Sequence, residues 1–219
     1  MENRLIAFGC SHTYGGALSA NQDSPSPLAW PNLLANLSNR KCVNVSRRGS
    51  SNKRIWNDVV NFEFQKNDVV FIMWTDVSRT CIIKENEIED IGVWNINDND
   101  ASLKYYQSLF DLFDSVKDLN IRSSHCDLYL NSLGVKNYHL VYSEILIDHK
   151  VNAVAKKLKT LDRKSYRKEA FNKANLLRLD FSEISKSYDK ALDGRHPGEL
   201  AHKELANKIF SEVQNEIKI

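Results

Sequence analysis

Val69, Val70, Phe71, Ile72, Met73 and Trp74 form an apolar run without interruption, preceded by Asn67 and Asp68 and followed by Thr75 and Asp76. A strand with one wet face alternates apolar and polar residues, so an unbroken run of this length predicts a central parallel strand covered on both faces. Parallel strands need crossover connections, and the flanking sequence supplies them. Leu5–Phe8 is a shorter apolar run that stops at Gly9, where a sharp turn is allowed. Trp30–Leu37 carries apolar residues at helical spacing, with Pro31 suited to a helix start. Cys42–Val45 predicts a second strand ending in the polar run Ser46–Asn52, after which Ile55, Val59 and Phe62 repeat at helical intervals.

Farther along, Leu103–Leu119 is helical by period, Tyr138–Tyr142 predicts a fourth strand and Leu176–Leu179 a fifth. Leu205, Ile209, Val213 and Ile217 make an i, i+4 stripe on a last helix that starts soon after Pro197. From about Ile82 to Asp100 the chain is acidic and Asn-rich with no clean period, and is read as an insertion or lid. The expected fold class is α/β: a three-layer α/β/α sandwich with a mainly parallel central sheet, residues 1–219 forming one domain. In such sheets functional loops gather at the carboxyl ends of the strands, so the segments after Phe8, Val45 and Trp74 are expected to converge on one rim.

Composition narrows the partners. Of the 219 residues 42% are apolar and 26% charged, and the net charge of +2 offers no overall field to recruit nucleic acid or an anionic membrane. Neither partner is expected. Cys10, Cys42, Cys81 and Cys126 are widely separated with no CxxC spacing, which reads as a reduced thiol set. The run after Met1 is too short for a signal or membrane segment, and a cytoplasmic location is the expectation.

A serine hydroxyl needs a histidine to take its proton and an acid to orient that histidine. Ser11 lies in Phe8-Gly9-Cys10-Ser11-His12-Thr13, directly after the first strand, where the turn would expose its hydroxyl. Asp193 and His196 lie in Asp193-Gly194-Arg195-His196-Pro197, just before the last helix. Each motif alone has an ordinary explanation, a turn serine or a helix-capping aspartate; their placement at opposite ends of the chain, with Gly49 between, points to a triad.

These motifs resemble the SGNH, or GDSL-like, serine hydrolases, which carry a serine after the first strand and a D-x-x-H pair near the C-terminus. The resemblance spans the chain: Gly9 and Ser11 in the first block, with Cys10 where Asp is common; Gly49 in the second, after Asn44 and before Ser51 and Asn52; Asp193 to Pro197 in the last. It implies a flavodoxin-like sheet and an oxyanion hole made by the backbone N–H groups of Ser11 and Gly49 plus a third-block asparagine. That asparagine is missing. Thr75 is the best-aligned substitute, Asn52 the next, and an incomplete hole the remaining option.

The implied activity is hydrolysis of an oxygen ester of a small molecule or glycan, such as a carbohydrate O-deacetylation, through Ser11, His196 and Asp193 and with no cofactor. Acyl transfer on the same triad, or a degenerate fold serving as a binding or structural module, are the rival readings. Arg47 and Arg48 before Gly49, Arg79 after the third block and Arg195 in the last block flank the motif loops and are candidates to bind an anionic substrate group. His12 is a further candidate, although an exposed loop histidine is the plainer reading; Cys10 is expected to be buried rather than nucleophilic. His125, Cys126 and Asp127 are adjacent in sequence and so do not predict a metal site, and His139 and His149 are isolated. The basic stretch Lys156–Lys168, interleaved with Leu158, Leu161 and Tyr166, reads as a solvated face.

Overall fold

The computed structural model describes residues 2–19, 23–96, 99–142 and 175–217. The stretch Lys156–Lys168 and His149 lie outside the described residues. Strands β1 (Arg4–Phe8), β2 (Lys41–Asn44), β3 (Val69–Trp74), β6 (Lys136–Val141) and β7 (Leu176–Asp180) form one sheet in the order β2-β1-β3-β6-β7. Every pairing in it is parallel. Strands β4 (Thr80–Ile83) and β5 (Ile88–Ile91) form a separate antiparallel hairpin.

All residues of β3 are buried, as its unbroken apolar run requires. The pleat sends alternate side chains to opposite faces. Leu5, Ala7, Phe71, Met73 and Leu140 face one layer, made by α2 (Trp30–Leu37), the short α6 (Phe181–Lys186) and the last helix, α7 (Glu199–Ile217). Ile6, Phe8, Val70, Ile72 and Trp74 face the other, made by α3 (Asn52–Val60) and α5 (Leu112–Ser132). Full burial of each large apolar side chain contributes roughly 1.5–3 kcal/mol, so the two face-specific sets fix the register of the sheet: a one-residue slip would exchange them. The α7 stripe of Leu205, Ile209, Val213 and Ile217 is buried throughout.

Polar groups inside these layers are paired by geometry that the sequence conceals. His139, fully buried on β6, accepts from Trp74 Nε1–H at Nδ1 (2.9 Å), and its Nε2 lies 3.1 Å from Asn137 Oδ1. The isolated histidine is thus a satisfied core residue. Arg4 on β1 binds buried Asp68 through Nε (2.8 Å) and Nη2 (2.6 Å), anchoring the start of β3.

Two expectations need correction. The segment read as aperiodic from about Ile82 begins with the β4–β5 hairpin; Ile82 and Ile83 are both 39% exposed, so neither period shows in its sequence. The helix expected over Leu103–Leu119 is two. α4 (Asp100–Lys104) runs into a single π turn at Tyr105–Leu109, Phe110 is extended, and Asp111 caps α5 by accepting the N–H of Asp114 (3.0 Å). A capping aspartate offers the backbone an acceptor that an uninterrupted helix would not use.

The chain leaves the carboxyl end of β1 toward β2 and that of β3 toward the hairpin and β6, so the strand order reverses between these neighbours. The resulting crevice is where doubly wound sheets bind ligands. Among the described residues no helix is long and apolar enough to cross a membrane.

Candidate active site

At the end of β1 there is no room for a side chain at Gly9, where a Cβ would collide with the side chain of Thr13. Cys10 follows in extended conformation, and its carbonyl accepts the N–H groups of Thr13 and Tyr14 (3.0 Å each), starting the short helix α1 (Ser11–Tyr14). Its thiol is fully buried, as expected of a packing cysteine. Ser11 occupies the first position of α1, where a backbone N–H has no intrahelical acceptor. Gly15, at φ 75°, ends the helix, and Gly16 N–H donates to Ser11 O at 2.8 Å.

Two contacts bring the second block onto this turn. Arg47 N–H donates to Gly9 O (3.2 Å), and Asn44 Nδ2 donates to Thr13 O (2.9 Å). Gly49, at φ 76°, is in the left-handed region that favours glycine.

The C-terminal loop is built by its own aspartate. Asp193 Oδ1 accepts the N–H groups of Arg195 (2.9 Å) and His196 (3.0 Å), while Oδ2 lies 2.6 Å from His196 Nδ1. Partial burial pushes the carboxyl up, but the two backbone donors and the imidazole outweigh it and hold it down at about 2. An ionised Asp193 keeps the proton on Nδ1 and leaves Nε2 as the acceptor. Leu192 N–H donates to Ala17 O (3.0 Å), which ties this loop to the segment after α1. The imidazole rests over Gly16: a Cβ there would be 3.4 Å from His196 Nε2 and Cδ2. The two ends of the chain therefore meet at the Ser11 turn.

His12 departs from the expectation of an exposed loop histidine. It is 8% exposed, stacks on Tyr142 at 3.5 Å with a 7° interplanar angle, and lies 5.2 Å from the His196 ring. Its Nδ1 is buried without a partner among the described residues. Burial pushes its pKa well below the usual value, and the neighbouring His196 and Arg79 push in the same direction, so the ring is neutral at pH 7. The reason is long-range: Tyr142, just beyond β6, closes over it.

Asn52 also differs from a donor free to swing in. Its Oδ1 accepts Thr75 N–H (2.8 Å) and its Nδ2 donates to Thr75 O (3.0 Å), so the amide clamps the main chain at the end of β3. Thr75 is 1% exposed.

The four arginines differ in burial and in neighbours. Arg47 is exposed and lies 3.7 Å from Asp58. Arg48 is exposed over the Tyr14 ring (5.2 Å), and Arg195 is exposed on the C-terminal loop. Arg79 alone is partly buried at the crevice, its guanidinium 4.9 Å from the Trp94 ring. Tyr142, Trp94 and Gly16 escaped the sequence reading. Tyr142 ended a predicted strand, Trp94 was the lone indole of the excursion, and the pair Gly15-Gly16 directly follows the serine motif. Among the described residues no group of three or more His, Cys, Asp or Glu side chains could hold a metal ion.

No family model matches the chain, and no curated protein matches its sequence. The fold is that of known SGNH hydrolases. It is similar to a Desulfitobacterium hafniense protein described as lipolytic and of the G-D-S-L family, with a TM-score of 0.57, 11% identity, and coverage of 94% of this chain and 97% of that one. A carbohydrate esterase described as having divergent catalytic and non-catalytic binding functions gives a TM-score of 0.58 at 12% identity, over 98% of this chain and 69% of the other. The esterase EstA from Pseudoalteromonas, solved inhibited by monoethylphosphonate, gives 0.53 at 15% identity, over 98% of both.

Proposed function

We propose that the chain is a serine hydrolase of oxygen esters, with Ser11 as nucleophile, His196 as general base and acid, and Asp193 as the residue that orients His196. The observation that carries this reading is the His196–Asp193 pair at 2.6 Å with the imidazole laid over Gly16, whose N–H is bonded to Ser11 itself. In this reading Ser11 Oγ attacks the acyl carbonyl and gives its proton to His196 Nε2. The imidazolium, steadied by Asp193, returns that proton to the departing alcohol. Water, deprotonated by His196, then attacks the acyl-enzyme and releases the acid and Ser11.

The developing oxyanion would meet the N–H groups of Ser11 and Gly49. For the third donor the candidates are the Thr75 hydroxyl and the second N–H of Asn52, whose first is committed to Thr75 O. One donor of this kind is worth about a hundredfold to a thousandfold in rate. Small-molecule or glycan esters are the substrate class suggested by the esterase and carbohydrate-esterase neighbours.

The test is covalent labelling by a fluorophosphonate, a reagent class close to the phosphonate that inhibits the Pseudoalteromonas neighbour. The wild-type protein should be labelled and should hydrolyse 4-nitrophenyl acetate; Ser11→Ala should do neither. If the folded wild type resists the probe, the second reading applies: a non-catalytic binding module, favoured by Thr75 in the place where the family resemblance implies an asparagine and by the non-catalytic binding described for one neighbour.

A further inference from the structure

Arg79 raises a question that the triad leaves open. Among the described residues its buried Nε has no hydrogen-bond partner and no carboxylate pairs with its guanidinium. Arg79 favours the ionisation of Asp90, whose Oδ2 accepts from Arg54 Nη1 at 3.2 Å and whose Oδ1 is buried with no partner among the described residues, yet neither oxygen reaches ion-pair distance of Arg79. Guanidinium groups stay charged at any working pH, so a partly buried one without an anion carries a desolvation cost that a bound anion would offset.

The surrounding structure holds this side chain in place. Asp76 Oδ1 accepts Ser78 N–H (2.8 Å), Arg79 N–H donates to Asp76 O (3.3 Å), and the buried Tyr106 hydroxyl donates to Ser78 O (2.9 Å). Together these pin the turn that follows β3. The indole of Trp94 covers the guanidinium, and the same indole packs on the second block: a Cβ at Gly49 would lie 3.2 Å from Trp94 Cζ2. Trp94 is itself set by its turn, in which Asn95 Oδ1 accepts Gly92 N–H (3.1 Å) and Asn95 Nδ2 donates to Asp90 O (3.1 Å). The excursion read as a lid thus supplies one wall of the crevice.

Stacking occupies the face of a guanidinium and leaves its N–H edges for a planar or tetrahedral anion. Through Trp94 the guanidinium adjoins Gly49 of the second block, and its charge acts on His12, which lies 5.2 Å from the His196 ring and whose Nδ1 is buried with no partner among the described residues. Two orphaned polar groups, one a permanent cation, flank one crevice.

We propose that Arg79 is the specificity-determining residue of this site, selecting esters that carry a carboxylate or phosphate near the scissile bond, with Trp94 as the wall that orients it. This rests on the hydrolase reading for its kinetics but not for its binding. Charge-assisted hydrogen bonds of this kind correspond to roughly 10- to 100-fold in affinity.

The experiment uses two matched pairs of esters, phenyl acetate with 4-acetoxybenzoate and 4-nitrophenyl acetate with mono-4-nitrophenyl succinate, which place the carboxylate on the alcohol or on the acyl side. Calorimetric binding is measured on Ser11→Ala protein with and without Arg79→Gln, and kcat/KM on protein with intact Ser11. In at least one pair the preference for the anionic member should fall 10- to 100-fold with Arg79→Gln and be partly restored by Arg79→Lys. Equal losses on anionic and neutral esters in both pairs, with unchanged melting, would assign Arg79 a structural role and overturn the proposal. Anion-selective binding without turnover would sink the hydrolase reading while leaving this one standing.

Discussion

His202 makes the stability of this fold sensitive to acid in a way that can be isolated. It is fully buried on α7; its Nδ1 accepts Trp30 N–H (3.1 Å), and its Nε2 has no partner among the described residues. Because a backbone N–H occupies Nδ1, a second proton can enter only by breaking that bond. Burial, reinforced by the charge of His196, lowers the pKa to about 3. The sign follows directly. The folded value lies below that of the unfolded chain, so the residue contributes nothing to the pH dependence above about 6.5, where both states are neutral. Below that, the unfolded chain binds a proton that the folded chain refuses. Stability then falls by about 1.4 kcal/mol per pH unit until the folded group titrates, which amounts to about 3 kcal/mol between pH 7 and 4.5. The perturbation is His202→Asn, which keeps a side-chain acceptor toward Trp30 N–H and removes the titration. Urea unfolding at half-unit intervals of pH measures both proteins. The variant should be less stable at pH 7, because it underfills the core, and its deficit should shrink by about 3 kcal/mol at pH 4.5. Parallel stability curves from pH 7 to 4.5 would refute the reasoning.

Asp193→Asn keeps an acceptor for the Arg195 and His196 N–H groups but favours the wrong imidazole tautomer, so kcat should fall by roughly four orders of magnitude, while the melting temperature changes little, as ester hydrolysis and thermal denaturation would show. Gly16→Ala places a methyl group 3.3 Å from Ser11 O and 3.4 Å from His196 Nε2, between the serine turn and the imidazole, and steady-state kinetics should show a lower kcat with a smaller effect on thermal stability.

The sheet was legible because its strands are short apolar runs ended by turn residues. β3 coincides with its apolar run from Val69 to Trp74, and α7 carries the predicted stripe, since both depend on local pattern and burial. The hairpin was not legible, because its strands are brief and expose Ile82 and Ile83, and the break before α5 was hidden because Asp111 reads as a surface helical residue until its side chain is seen to cap. In the site, sequence brought forward Ser11, Gly49, Thr75, Asp193 and His196 as residues at element ends. It could not assign His12, which stacks on Tyr142 from just beyond β6, nor see that Arg79 differs in its surroundings from Arg47, Arg48 and Arg195, because the indole of Trp94 lies over it. Local chemistry was readable, and contacts made across the sheet were not.

The loops of the crevice are joined mostly by groups that take no part in the proposed chemistry. Arg47 N–H bonds Gly9 O, Asn44 bonds Thr13 O, Asn52 holds both main-chain groups of Thr75, and Leu192 N–H bonds Ala17 O. Each is a cross-link between segments distant in sequence, and none uses the Ser11 hydroxyl or the His196 ring. Removing either of those groups therefore leaves the cross-links intact, so variants at Ser11 and His196 report on chemistry rather than on folding. Asn52 is the opposite case. Truncating it would strand the buried Thr75 N–H at a cost of about 1–3 kcal/mol and release the end of β3, so a fall in activity there would not distinguish a lost oxyanion donor from a displaced Thr75. The aspartate variant does not separate the two either: it keeps the acceptor for Thr75 N–H but sets a carboxylate oxygen against Thr75 O, where the amide donates at 3.0 Å, and buries a charge there, so the third donor is better tested at the Thr75 hydroxyl with Thr75→Val.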